Sequence, residues 1–135
     1  YSVHIFYGLL KDTTYSCFLK DDARLPMMYI DDAIKGTIDL MEAPSEKITI
    51  RTSYNFGAIN FTPKELVDEI ITLYPDFRCT YDPDPIKQKI AESWPQSIDD
   101  SVAQKDWGWK PEFDLKRLTE VMIEGLKKKL LQEKS

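Results

Sequence analysis

Adjacent carboxylates occur at Asp21-Asp22, Asp31-Asp32 and Asp99-Asp100, the residue type from which general acid and base pairs are built. Neighbouring side chains on a helix or strand point in different directions, so adjacency alone does not aim two carboxylates at one reacting atom. Each pair also falls where a turn or helix start is expected, which assigns all three to capping. Ser-His-Asp chemistry would depend on the single histidine, His4, in the apolar face or flank of the first helical stretch, and is set aside. Cys17 and Cys79 lie in apolar or β-like contexts rather than in a CxxC pair, and are expected to be reduced core thiols in a reducing compartment. With one histidine they make no zinc site, and no metal is expected. The five glycines stand alone and leave no loop to cradle a phosphate, so no catalytic or cofactor-binding residue is assigned in this chain.

What the chain does offer is a recognition surface. Trp94-Pro95-Gln96-Ser97-Ile98-Asp99-Asp100-Ser101 and Asp106-Trp107-Gly108-Trp109-Lys110-Pro111 hold all three tryptophans in a stretch too polar for an ordinary buried strand. Asp100 or Ser101 can cap a short helix ending near Lys105 and Asp106, Gly108 lets the chain turn between two indoles, and Pro111 prevents the helix from resuming. Trp107 and Trp109 can close the edge of a core or wall a pocket, and both readings stay open. Trp94, flanked by Ser93 and Pro95 in a loop, is expected to wall a pocket.

The elements that position these residues follow from periodicity. A chain of 135 residues with 42% hydrophobic content is one domain with enough apolar mass for a packed core. Ser2 to Lys11 has helical spacing, Tyr15 to Lys20 is a short strand, and Asp31 or Asp32 caps a helix that ends at Pro44. Ile48 and Ile50 alternate with Thr49 and Arg51 as in a strand, which Tyr54-Asn55-Phe56 extends. Thr62-Pro63-Lys64-Glu65 is a capping box with proline at the first helical position, opening a helix to about Tyr74. A strand over Phe77 to Tyr81, a rigid turn at Asp82-Pro83-Asp84-Pro85 and a short helix over Ile86 to Glu92 follow. From Asp114 an apolar stripe runs as a helix to about Glu133. Three short strands alternating with helices are an α/β collection without a complete doubly wound sheet.

Several function classes are excluded by composition. A net charge of −5, with the one basic cluster Lys127-Lys128-Lys129 on a solvated helix end, argues against a nucleic-acid surface. No apolar run of membrane-spanning length and no signal-peptide pattern occurs, so no membrane association is expected. The start inside an amphipathic helix is expected of a piece cut from a longer chain.

Met28-Tyr29-Ile30-Asp31-Asp32-Ala33 followed by Trp107-Gly108-Trp109-Lys110-Pro111 resembles the C-terminal part of extended short-chain dehydrogenases, the epimerase/dehydratase family. Within it, Arg24 to Ile30, Tyr54-Asn55, Phe61-Thr62-Pro63 and Ile90-Ala91-Glu92-Ser93-Trp94-Pro95 look like the epimerase-type L-threonine 3-dehydrogenases, a likeness covering essentially the whole chain. The resemblance implies a two-lobed enzyme in which a Rossmann lobe, absent here, binds NAD and supplies the catalytic Ser/Thr, Tyr and Lys. Residues 1–135 would be the C-terminal substrate-binding lobe, with 1–12 a crossover helix, and inactive alone. The reaction implied is oxidation of L-threonine to 2-amino-3-oxobutanoate, by hydride transfer from the β-carbon to NAD. Tyr7-x-x-x-Lys11 copies the spacing of that family's tyrosine and lysine but lacks a glycine-rich partner upstream, and is treated as coincidence.

By the same resemblance Trp94 borders the amino-acid pocket and the loop from Arg24 to Met28 faces the cleft between lobes, which makes Trp94, Arg24 and Met27 the substrate-binding candidates. Nucleotide-sugar epimerases typically carry an arginine just before the Tyr-Ile-x-x-Asp segment to grip a diphosphate. Here Leu25-Pro26-Met27-Met28 stands in that place, and an apolar wall suits a small amino acid better. Met27 and Met28 could equally fill an irregular core gap. A nucleotide-sugar epimerase or dehydratase lobe and a free-standing binding module remain the alternatives. The resemblance further implies a homodimer when full-length, in the cytoplasm or, in a eukaryote, the mitochondrion.

Overall fold

The computed structural model describes residues 1–133. Its elements run α1 (His4–Asp12), β1 (Thr14–Cys17), β2 (Leu25–Met27), α2 (Ile30–Glu42), a 3₁₀ turn (Ser45–Lys47), β3 (Ile59–Phe61), α3 (Pro63–Leu73), β4 (Arg78–Tyr81), α4 (Pro85–Glu92), α5 (Ser101–Trp107) and α6 (Leu115–Gln132). The fold is mixed α/β, with six helices and few short strands among the described residues. The strands form two separate ladders. β1 lies parallel to β4 with Tyr15 opposite Cys79, and β2 antiparallel to β3 with Pro26 opposite Asn60.

Local chemistry accounts for most of the boundaries. The Thr62 hydroxyl accepts from the Glu65 N–H at 3.2 Å and a Glu65 carboxylate oxygen accepts from the Thr62 N–H at 2.9 Å, closing the capping box of α3. The Asp84 carboxylate accepts from the N–H groups of Ile86 and Lys87, and that of Asp114 from Arg117. α5 ends at Gly108, whose φ of 74° belongs to the left-handed region that glycine enters without Cβ strain. α6 packs against α1 and α3, and Ile5, Phe6, Leu66, Ile70 and Phe77 are buried between these helices and β3. A smaller cluster of Cys17, Leu19 and Leu25 lies beside it. Cys17 and Cys79 are free thiols, and burial pushes both pKa values up, Cys79 to about 11.

Three expectations from sequence are corrected. Residues 48–51 form no strand: Tyr54 and Asp106 side chains take the Thr49 N–H, and the Tyr54 hydroxyl also takes that of Ile50. The ladder that does form, β3, has only three residues and too short an alternation to register. Asp31 and Asp32 do not cap α2, whose N-cap position is Tyr29 without a side-chain bond. Asp32 is instead buried, and its two oxygens accept from the backbone N–H groups of Glu112 at 2.8 Å and Phe113 at 3.1 Å. Likewise Asp100 stands at the N-cap of α5 but makes no capping bond, binding the Gln104 amide and the Gly57 N–H, while Asp99 accepts from the Ser101 N–H.

Gly36 completes the seam that Asp32 starts. A Cβ there would stand 2.7 Å from ring atoms of both Phe56 and Trp109, and Trp109 is almost wholly buried with no room to yield. Gly125, in α6, has nothing within 4 Å of the same added atom. Gly36→Ala is therefore expected to destabilise by about 1–3 kcal/mol through overpacking. Gly125→Ala should stabilise by up to about 1 kcal/mol through helix propensity. Urea unfolding of the two variants checks the pair; equal effects would contradict the packing.

Candidate functional site

α4 and the β1–β2 connection meet across a cleft with two ends. The polar end, about 240 Å³, is lined by Lys20, Arg24, Gln88, Glu92 and Trp94 among others. The apolar end, about 300 Å³, is lined by Phe18, Leu19, Leu25, Met27, Ile90 and Trp94 among others. Leu25, Ala91 and Trp94 belong to both. Trp94 sits one residue past the C-cap of α4, its N–H donating to the Ala91 carbonyl at 3.1 Å, and its side chain is 57% exposed. Packing thus leaves more than half of this residue uncovered.

The polar end is organised by hydrogen bonds that cross the chain. The Gln88 side-chain oxygen accepts from the Lys20 N–H at 2.9 Å, its amide donates to Glu92 at 2.9 Å, and the Lys20 ammonium donates to the same Glu92 oxygen at 3.1 Å. These contacts hold the Glu92 carboxyl below its usual pKa, the Gln88 bond first and Lys20 second. Arg24 is held more firmly. Its guanidinium donates to the Asn60 carbonyl at 2.8 Å and to Glu65, the residue whose other oxygen closes the α3 capping box. The Arg24 guanidinium, with the Thr62 N–H second, lowers the Glu65 pKa.

Of the three sequence candidates, Arg24 and Trp94 line the polar pocket and Met27 and Trp94 the apolar one, and neither pocket holds all three. Met27 also lies opposite Ile59 in the β2–β3 ladder and packs against both hydrophobic clusters, so it serves core and cleft at once. Met28 lines a neighbouring groove with Val3 and Ile30. Lys20, Gln88 and Glu92 were missed by sequence reasoning. The four-residue spacing of Gln88 and Glu92 was the available signal, for it places both on one face of α4.

Trp107 and Trp109 belong elsewhere, to an aromatic cluster with Tyr54 and Phe56 against α2. The Trp109 indole donates to the Gly57 carbonyl at 2.7 Å. Beside them the Asp106 carboxylate accepts from the hydroxyls of Thr49 and Tyr54. No group of three or more histidine, cysteine or acidic side chains placed to hold a metal occurs among the described residues. No helix among them is long and apolar enough to cross a membrane.

No family model matches the chain. It is 50% identical over 123 residues to the mitochondrial L-threonine 3-dehydrogenase of Bos taurus, covering 91% of this chain and 33% of that one. An uncharacterized epimerase/dehydratase of Staphylococcus aureus is 41% identical, with coverage of 96% and 40%. Among solved structures, L-threonine dehydrogenase from Phytophthora infestans superposes with a TM-score of 0.90 at 48% identity, over 95% of this chain and 41% of that one. The chain matches the C-terminal part of L-threonine 3-dehydrogenases and of epimerase/dehydratase-family proteins. It spans about a third to about two fifths of the length of these relatives.

The Asp106 network carries a pH dependence. The Thr49 hydroxyl first, then that of Tyr54, lowers the Asp106 pKa in the folded chain. A depressed folded pKa means the network contributes fully above the unfolded value of about 3.9, and the contribution is lost as pH falls from there through the folded value. Asp106→Asn is expected to melt below the unmodified chain at neutral pH, with the gap narrowing as pH falls below about 4. Melting curves across that range check it; a constant gap would show that charge plays no part.

Proposed function

We propose that this chain is the substrate-positioning lobe of an NAD-dependent L-threonine 3-dehydrogenase, residues 1–135 forming that lobe and 1–12 its crossover helix. The observation that carries the reading is the cleft's division into a charged and an apolar end within a chain half identical to such an enzyme. The reaction is oxidation of L-threonine at its β-carbon to 2-amino-3-oxobutanoate, with NAD as acceptor.

The described residues of this chain do not fit a dinucleotide. Gly108 is the one glycine among them with a left-handed φ, and it ends a helix instead of opening one, which is not the glycine-rich turn that cradles a diphosphate. In this reading NAD and the groups that move protons belong to the N-terminal portion. What this lobe does is bind, orient and exclude water. A free amino acid presents an anion, a cation and a short apolar branch. Arg24 and Lys20 offer positive charge, Glu92 negative charge, and Met27 and Trp94 an apolar wall within one cleft. Arg24 is pre-positioned by Glu65 and Asn60, so little side-chain entropy is lost when it meets a carboxylate.

The epimerase/dehydratase reading is favoured by the Staphylococcus relatives, and would require a diphosphate grip where Leu25 to Met28 is largely apolar. In either case the full-length protein is read as a homodimer, in the cytoplasm or, like the Bos taurus relative, the mitochondrion.

In the full-length protein, Trp94→Ala is expected to raise the KM for L-threonine about ten-fold, the equivalent of ~1.4 kcal/mol, with NAD affinity nearly unchanged. Steady-state kinetics in both substrates measures this, and an equal loss for both would count against the assignment. Thermal shift with L-threonine plus NAD against a uridine diphosphate sugar separates the two readings.

A further inference from the structure

Helix α4 is docked by a polar side chain. Of its eight residues only Gln88 is buried, whereas Ile86 and Ile90 are 74% and 53% exposed and α4 meets the smaller hydrophobic cluster through Ala91. A helix at a domain edge is ordinarily held by an apolar stripe, and such burial tolerates small shifts and rotations because it has no preferred direction. Hydrogen bonds have one. The contacts of Gln88 therefore fix where α4 lies more sharply than its apolar contacts do.

Those contacts extend a strand pairing. β4 ends at Tyr81, yet the Asp82 N–H donates to the Cys17 carbonyl at 2.9 Å and the Asp84 N–H to the Phe18 carbonyl at 3.0 Å. Pro85 then turns the chain into α4, whose first carbonyls bond within the helix. The Gln88 side-chain oxygen accepts from the Lys20 N–H at 2.9 Å in place of a strand carbonyl, and its amide donates to Glu92, which also holds the Lys20 ammonium. Turning the amide over would set donor against donor and oxygen against carboxylate, so a single orientation satisfies both ends. The Lys87 ammonium adds a further tie, 4.4 Å from the centre of the Phe18 ring.

We propose that Gln88 is a positioning residue, which anchors α4 to the β1–β2 connection and thereby sets the separation of Trp94 from the Arg24 and Leu25 side of the polar pocket. The two sides of that pocket come from different parts of the chain, Lys20, Arg24 and Leu25 from the approach to β2 and its start, Ala91, Glu92 and Trp94 from the end of α4 and just past it. Gln88 bonds to Lys20 across that gap and to Glu92 on its own helix. Trp94 follows the helix, its N–H held by the Ala91 carbonyl. An effect on L-threonine rests on the dehydrogenase reading; the anchoring does not.

The test uses the full-length protein with Gln88→Leu, Gln88→Asn and Gln88→Glu, and Gln88→Leu also combined with Trp94→Ala. Leucine loses both bonds, asparagine keeps the amide but is a methylene short, and glutamate keeps an acceptor for the Lys20 N–H. Gln88→Leu and Gln88→Asn should raise the KM for L-threonine about five-fold with kcat and NAD affinity within about two-fold, and Gln88→Glu should recover most of the loss. In the Trp94→Ala background Gln88→Leu should add less than about two-fold, because the wall it positions is gone. Hydrogen exchange should show the Lys20 amide protected in the unmodified protein and in Gln88→Glu, and open in the other two variants. Where Gln88→Leu does not fold, Gln88→Asn carries the same cycle. An unchanged KM or full additivity with Trp94→Ala overturns the proposal. So does a fall in kcat and NAD affinity in step with the KM change, the mark of a purely structural role, or a Lys20 amide that exchanges alike in every variant. Absence of threonine turnover in the unmodified protein would defeat the dehydrogenase reading, and the exchange result would still decide the anchoring.

Discussion

The buried carboxylate of Asp32 governs how this chain is put together. Its two oxygens are taken by the N–H groups of Glu112 and Phe113, bonds of the charge-assisted kind worth about 1.5–3 kcal/mol each. They clamp a chain segment with no regular structure onto a helix some eighty residues earlier. Gly36, one turn on, lets the Phe56 and Trp109 rings approach the helix backbone, and the Tyr29 ring packs against Phe113 with centroids 4.5 Å apart. With the inner face of α2 so tightly specified, the rotation of the helix is set. The outer stripe of Ile30, Ile34 and Ile38 cannot turn inward.

The cleft depends on a different economy, in which short elements serve twice. β2 has three residues, yet Leu25 belongs to the smaller cluster and Met27 touches both clusters and two grooves. Arg24 is likewise tied into the α3 cap through Glu65, so the start of one helix and the rim of the cleft share a carboxylate. A change at that cap would be felt at Arg24 as well as in stability. The cleft's polarity is divided by the same construction, with charged groups supplied by the chain before β2 and by α4, and apolar groups by β2 and Trp94.

Local rules made much of this legible in the sequence. The Thr62-Pro63-Lys64-Glu65 box, the Asp114 cap, the turn at Gly108 and the long apolar stripe of α6 each depend on residues within one helical turn, and each stands as expected. Trp94 was singled out because a loop tryptophan between serine and proline has no strand or helix in which to hide. Arg24 and Met27 were reached through resemblance, and their shared cleft is a fact of packing.

Where reading failed, a side-chain partner that no spacing announced had decided, sometimes near in the chain and sometimes far. Residues 48–51 have the alternation of a strand, but alternation says only which side chains share a face; Tyr54 and Asp106 decided where the N–H groups went. Asp32 has the composition of a cap and the role of a clamp, because its partners lie far along the chain and no spacing announces them. Sequence by itself determined most of the helices, the caps of α3 and α6 and the residue types available for recognition, since these follow from contacts between near neighbours. Tertiary structure alone decided which carboxylate is buried, which tryptophan faces solvent and which side of α2 is left exposed, since those depend on surfaces meeting across the whole fold.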